Sequence, residues 1–199
     1  MLTRRDPDGY GGGKALVLHS LGLESGTVRV VPYDPAWPTL YTAELTRVEP
    51  ILRAHGISLA FEHTGSTAVP GLAAKPILDL LAGRRSEQDR GSSIAALEAA
   101  GYTYRGEQGI PGRDFFRRGD PRQYHIHLTE IESDFWRDHL AFRNYLRANP
   151  DALAAYAALK QELAARYPRD REAYIDGKTA FVERALAGRF DLERSLAKR

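Results

Sequence analysis

The feature that most restricts how this chain can fold is a glycine-bearing turn followed by an acid inside an apolar strand. Residues 63 to 71 read His-Thr-Gly-Ser-Thr-Ala-Val-Pro-Gly, and Pro76 to Ala82 are apolar apart from Asp79. A short apolar run of this kind is expected of a strand covered on both faces. An acid placed there needs a reason, because burying a carboxylate without partners is costly. Gly65-Ser66, thirteen residues before Asp79, supplies one. Glycine lets the backbone approach an anion, while the Ser66 hydroxyl, Thr67 and successive N–H groups can hold phosphate oxygens. A carboxylate across the cleft can then anchor a divalent metal such as magnesium. The bland alternative is an ordinary Gly-Ser turn.

The rest of the chain provides a frame for that pairing. A length of 199 residues with 43% hydrophobic content suits one domain. No apolar run approaches the roughly 20 residues of a membrane span, and Met1 to Gly13 is polar and Gly-rich rather than a signal peptide, so a cytoplasmic protein without membrane contact is expected. Without cysteine, any metal must be held by His, Asp or Glu. A net charge of +2 and a pI near 8.9 are too mild to announce a nucleic-acid binder by themselves.

Residues 1–26 read as a flexible arm and 189–199 as a polar tail, around a single domain at 27–188. Within it, Thr27 to Val31 predicts a strand, and Trp37, Leu40, Leu45, Val48 and Leu52 predict a helix kinked or divided at Pro50 and stopped at Gly56. Ile57 to Glu62 and Pro76 to Ala82 predict strands. Ser92 or Ser93 would cap a helix ending at Ala100, before strands at Tyr102 to Arg105, Asp114 to Arg118 and Tyr124 to Thr129. Helices follow from Ser133 to about Leu146, from Asn149-Pro150 to about Tyr167, and from Asp170 to Ala187-Gly188. The expected class is α+β: a mixed sheet with helices packed on it and a helical C-terminal third.

His125 and His127 are two apart on a predicted strand, hence on one face, and with Asp79 they could form a two-His, one-carboxylate metal site. His63 could add a further ligand. The same groups could serve in acid–base work or hold substrate, and strand histidines are commonly just hydrogen-bonded. Lys75 can meet a phosphate or orient Asp79. Arg113, Arg117, Arg118 and Arg122 gather positive charge before the histidines, with Arg118 a candidate anion contact, although Arg117 and Arg118 cannot both face one way. In the helical third, Arg143 and Arg147, Tyr156 and Lys160, and Tyr174 and Lys178 are each four apart. Arg143, Lys160, Tyr174 and Lys178 could meet phosphates and stack a base, or simply dress an exposed face. Trp37, Trp136, Phe142 and Phe181 read as core anchors.

His63 to Leu72 followed by Lys75-Pro-Ile-Leu-Asp79 resembles the signature of the GrpB family. Val31 to Trp37, His125-Ile-His127, Phe142 to Arg147, Tyr156 with Lys160, and Tyr174 with Lys178 agree with it. The resemblance implies a nucleotidyltransferase-like fold, shared distantly with DNA polymerase beta, in which the Gly-Ser motif precedes a strand bearing Asp-x-Asp or Asp-x-Glu. Here position 81 is Leu81. The resemblance also implies a transferase acting on a nucleotide-bearing or phosphorylated substrate. Two other functions are implied by relatives. One is an arginine-using cyclodipeptide synthase fed by aminoacyl-tRNA, in which Asp79 or Glu62 would bind the guanidinium and the basic helices the tRNA. The other is a non-catalytic helper, like the domain appended to some dephospho-coenzyme A kinases; no phosphate loop of the kinase type is present. The sequence does not fix an oligomeric state.

Overall fold

The structure, a computed structural model, describes residues 21–196, with side chains described to 187. Helix α1 spans Trp37–Ala54, strand β1 Ala60–Thr64, β2 Leu78–Arg84, helix α2 Arg90–Ala99, β3 Thr103–Tyr104, β4 Asp114–Arg118 and β5 Tyr124–Glu130. Helices α3 (Asp134–Ala148), α4 (Pro150–Arg166) and α5 (Arg171–Leu196) complete it; a 3-10 turn, Ser66–Ala68, follows β1, and another, Glu87–Asp89, precedes α2. The sheet order is β1-β2-β5-β4-β3, with β2 parallel to β5 and the other neighbours antiparallel. The mixed α+β class expected from sequence is the one observed.

Strand alternation divides the sheet. Leu78, Leu80, Ala82, Phe116, Ile126 and Leu128 form one face and are fully buried with Trp37, Val48 and Leu52 of α1 and Ala96 and Leu97 of α2. The other face carries Asp79, His125 and His127 toward the C-terminal helices. Those helices have their own apolar contacts. Val69 and Leu72 pack with Leu146 and Tyr156, and the rings of Phe142, Tyr156 and Phe181 cluster, Tyr156 and Phe181 stacked at 4.9 Å. Gly177 permits the close approach of α5 to α4, because a Cβ there would lie 2.5 Å from Leu163 Cδ2.

Several boundaries differ from expectation. Thr27 to Val31 is not a strand; Val31 alone bridges Ala74. A β-branched stretch forms a ladder only where a neighbouring edge runs alongside it, and here the contact lasts one residue. Helix α1 continues through Pro50 to its expected stop at Gly56. The second strand begins at Ala60 rather than Ile57, and α2 begins at Arg90, which places Ser93 inside the helix and buried. Of the expected arm, residues 1–20 lie outside the described residues, but Leu23 is buried and bridges Arg122. Helix α5 runs on to Leu196, into the expected polar tail. No described helix is long and apolar enough to cross a membrane.

Candidate functional site

Strand register brings the site together. Asp79 lies beside His125 across the parallel β2–β5 pair, Leu81 beside His127, and Thr64 opposite Asp79. His125 Nδ1 lies 3.1 Å and His127 Nε2 3.4 Å from Asp79 Oδ1. Phe115 packs on both imidazoles, with centroids 4.9 and 5.2 Å away, and forms an apolar wall. Burial works to raise the Asp79 carboxyl, but the histidine hydrogen bonds outweigh it and hold the group well below the usual carboxylate range. Burial lowers His125 to about 4 despite that neighbouring charge. At neutral pH the site therefore holds an ionised acid accepting from a neutral imidazole.

Gly65 is required by this geometry. Its φ is +69° and its ψ −171°, a region glycine alone occupies readily, and a Cβ would lie 2.5 Å from Asp79 Oδ2. The turn thus presses its backbone against the acid. Its Ser66 hydroxyl faces a cleft of about 620 Å³ whose walls carry Lys75, Arg113, Lys160, Arg171 and Lys178, with Asp79 and Asp176 as acids. Lys160 is 2% exposed and donates to Ser66 Oγ at 2.9 Å and to the Ala73 carbonyl. The Lys75 and Lys178 ammonium groups lie 5.1 and 4.6 Å from the centroid of the Tyr174 ring. Burial lowers Lys75 to about 8, Lys178 to about 7 and Lys160 to about 6; for all three, neighbouring cations add to it.

Of the residues singled out from sequence, Gly65, Ser66, Thr67, Lys75, Asp79, His125, His127, Lys160, Tyr174 and Lys178 all line this cleft. Three do not. His63 sits on the opposite sheet face, because strand alternation turns it away from its neighbour Thr64; it stacks on Tyr41 at 4.6 Å and its Nε2 lies 3.0 Å from Thr67 Oγ1. Arg118 likewise faces away and is bound to Glu44. Arg143 ties α3 to β1, donating to Glu62 at 2.7 Å and to the His63 carbonyl at 2.8 Å. The tyrosine–lysine pairs do share helix faces, but those faces point inward, and Tyr156 and Tyr174 are buried.

Sequence reasoning missed His139 and Arg171. His139 lines the cleft from α3, packs against Phe135 with ring centroids 3.9 Å apart, and lies 5.9 Å from the His127 ring. The buried Trp136, three residues earlier on the same helix, is the signal that could have placed it on the inner face. Arg171 opens α5 at the cleft.

The donor set can be tested against the metals such a fold suggests. A pair of magnesium ions does not fit: magnesium takes oxygen ligands, and the neighbour that would share a second carboxylate's position is the fully buried Leu81. One ion accepting nitrogen and oxygen does fit. Donors at about 2.0–2.1 Å from an ion stand about 3 Å apart, near the observed 3.1 and 3.4 Å, and the ligand atoms of Asp79, His125 and His127 all lie within 4.8 Å of one another.

A mixed sheet that sets a central-strand acid against a Gly-Ser turn, under a cationic helical wall, defines an α+β protein with a polar cleft on one sheet face. The sequence match then fixes the family: the GrpB protein family matches residues 27–187, and this chain belongs to it. The UPF0157 protein PA4798 of Pseudomonas aeruginosa is 41% identical over 165 residues; the match covers 80% of this chain and 66% of that protein, so the chain spans just under two thirds of that relative's length. The crystal structure of conserved protein GrpB from Enterococcus faecalis shares the fold at a TM-score of 0.70 and 36% identity, covering 79% of this chain and 94% of that one. The Cid1 poly(U) polymerase with bound MgGTP aligns at a TM-score of 0.49 and 15% identity, over 69% of this chain and 45% of that one.

Proposed function

We propose that this protein is a transferase whose substrate carries a nucleotide or another phosphorylated group. The observation that carries the reading is the charge balance of the cleft: Lys75, Lys178, Arg113 and Arg171 surround the Gly65-Ser66 turn, against Asp79 and Asp176. A low-dielectric recess with that excess of cations favours a multiply charged anion, and arginine adds donors in a fixed fork suited to phosphate oxygens. Asp79, with His125 and His127, would hold one divalent ion beside the anion, and such an ion supplies Lewis-acid polarisation of a phosphoryl or carbonyl oxygen. The chain's own contribution is to orient the substrate between turn and helices and to keep the acid ionised.

The same charge balance favours an anion over a guanidinium-bearing substrate. Glu62, the other carboxylate that could take a guanidinium, is already engaged by Arg143. The test is thermal denaturation with a panel of nucleoside mono-, di- and triphosphates and pyrophosphate, with and without manganese or zinc. A ligand at a hundred times its Kd stabilises by about 2.7 kcal/mol, or a Tm rise of roughly 5–10 °C for a chain of this size. Lys75→Met with Lys178→Met should remove that rise, and Asp79→Asn should remove its metal-dependent part. No shift from any phosphorylated compound would refute the reading.

A further inference from the structure

Ser66 stands where two cavities of opposite character meet. On one side is the cationic cleft. On the other, a cavity of about 210 Å³ shares Gly65, Ser66 and His139 with it and has an apolar wall of Phe142, Leu146, Val182 and Leu186. Behind the hydroxyl lies Lys160, whose two hydrogen-bond partners are Ser66 Oγ and the Ala73 carbonyl, neither of them an acid. The Tyr156 ring lies beside the amine, its centroid 4.9 Å away, and the charged groups facing it are Lys75 and Lys178. A desolvated lysine flanked by cations and lacking a counter-ion favours the neutral amine: burial, with Lys178 and Lys75 adding to it, lowers Lys160 to about 6. In the neutral form the contact reverses: Ser66 Oγ–H donates to Nζ, while Nζ still donates to Ala73.

We infer that Ser66 and Lys160 form a nucleophile–base pair for acyl transfer, with the acyl chain in the apolar cavity and a phosphorylated carrier as leaving group in the cationic cleft. Lysine serves as base to a serine nucleophile on unrelated folds, so the pairing is chemically sufficient. Lys160 takes the hydroxyl proton as Oγ bonds to the acyl carbon. The carbonyl re-forms as the bond from that carbon to the carrier oxygen breaks, and the Lys160 ammonium gives its proton to the departing oxygen. The result is an ester on Ser66 and a free carrier. An acceptor amine or water then attacks the ester, losing its proton to Lys160, which returns it to Oγ. The carrier's place rests on the phosphate-binding reading above; the pair itself does not.

The experiment therefore uses p-nitrophenyl acetate, a neutral donor without phosphate, on the full chain. The expected result is release of p-nitrophenolate with an acetyl group mapped to Ser66 by peptide mass analysis. The rate should rise with pH through about 6 and then level, as Lys160 becomes neutral. Lys160→Met should slow acylation about 100-fold or more, and Ser66→Ala should remove the label. Acetylation confined to lysines or histidines, or a Lys160→Arg variant acylated at the wild-type rate, would overturn the proposal. Folding of each variant is checked by its melting curve; if Lys160→Met does not fold, label mapping and the pH profile of the unaltered protein decide. Acylation without any nucleotide shift would reject the carrier and keep the pair, and the reverse pattern would do the opposite.

Discussion

Each face of the sheet holds an acid against its helices, and the two acids are treated in opposite ways. On the α1–α2 face, Glu44 is 3% exposed and accepts from Arg47, Arg118 and the Tyr102 hydroxyl, so both carboxylate oxygens are filled by the chain itself. On the other face, Asp79 keeps 28% of its side chain open and meets two histidines whose remaining nitrogens, His125 Nε2 and His127 Nδ1, have no hydrogen-bond partner among the described residues. The cations around it outnumber the acids. A closed network leaves no room for a ligand, whereas an acid left partly open beside an excess of cations marks where something else binds. Arginines read alike in sequence serve structure on one side and line the cleft on the other.

If that contrast is right, damage to the first face should cost stability and leave binding intact. The largest effect is expected from Glu44→Ala, which strands two guanidinium groups and a buried hydroxyl. Breaking a buried pair from one side costs about 3 kcal/mol or more, so the urea midpoint should fall while the nucleotide-induced shift survives. Retained stability would show that this network is no more structural than the cleft. Gly65→Ala comes next. Placing a side chain in that backbone region costs about 1–3 kcal/mol, and the displaced Asp79 carboxylate should lose divalent-ion binding, measured by calorimetry.

The cleft should also declare itself through pH. Lys160, Lys178 and Lys75 titrate at about 6, 7 and 8 when folded and near 10.5 when unfolded. Between those values the unfolded chain binds more protons, so stability rises with pH from about 6 toward 10. A bound anion favours the ammonium forms and reverses the trend, so the ligand-induced Tm shift should be larger at pH 6.5 than at pH 9. At the acid end, His125 and His139 at about 4, against 6.5 unfolded, lower stability as pH falls through 6.5. Melting curves across pH, with and without pyrophosphate, measure both; equal shifts at pH 6.5 and 9 would remove the lysines from the binding account.

Much of this division was legible in the sequence, for local reasons. The strand Asp114–Arg118 and the Ser133 cap, whose hydroxyl accepts from the Trp136 N–H at 3.3 Å, depend on short-range pattern and are where expected. Asp79 with His125 and His127 was legible because a period of two fixes faces within a strand. What failed needed register between strands or contacts across the fold. His63 adjoins the Gly-Ser turn in sequence, yet the β1–β2 register turns it away from Asp79. Arg118 was grouped with its basic neighbours, although only the distant Glu44 explains it.

The smallest predicted effect tests that last kind of error. His63 was a candidate ligand by proximity in sequence, and the structure gives it a stacking contact with Tyr41 and a hydrogen bond to Thr67 instead. His63→Phe keeps a planar ring on Tyr41 and loses the hydrogen bond, a change of about 1 kcal/mol. Thr67 then keeps a buried hydroxyl without that partner, so a small Tm drop is expected. Divalent-ion affinity and the nucleotide shift should be unchanged, because β1 turns the ring to the face where Glu44 closes its own network. A His63→Phe variant that lost metal binding while its melting curve held would mean that the two faces communicate through the 3-10 turn, and the separation of structural from functional charge would fail at that strand.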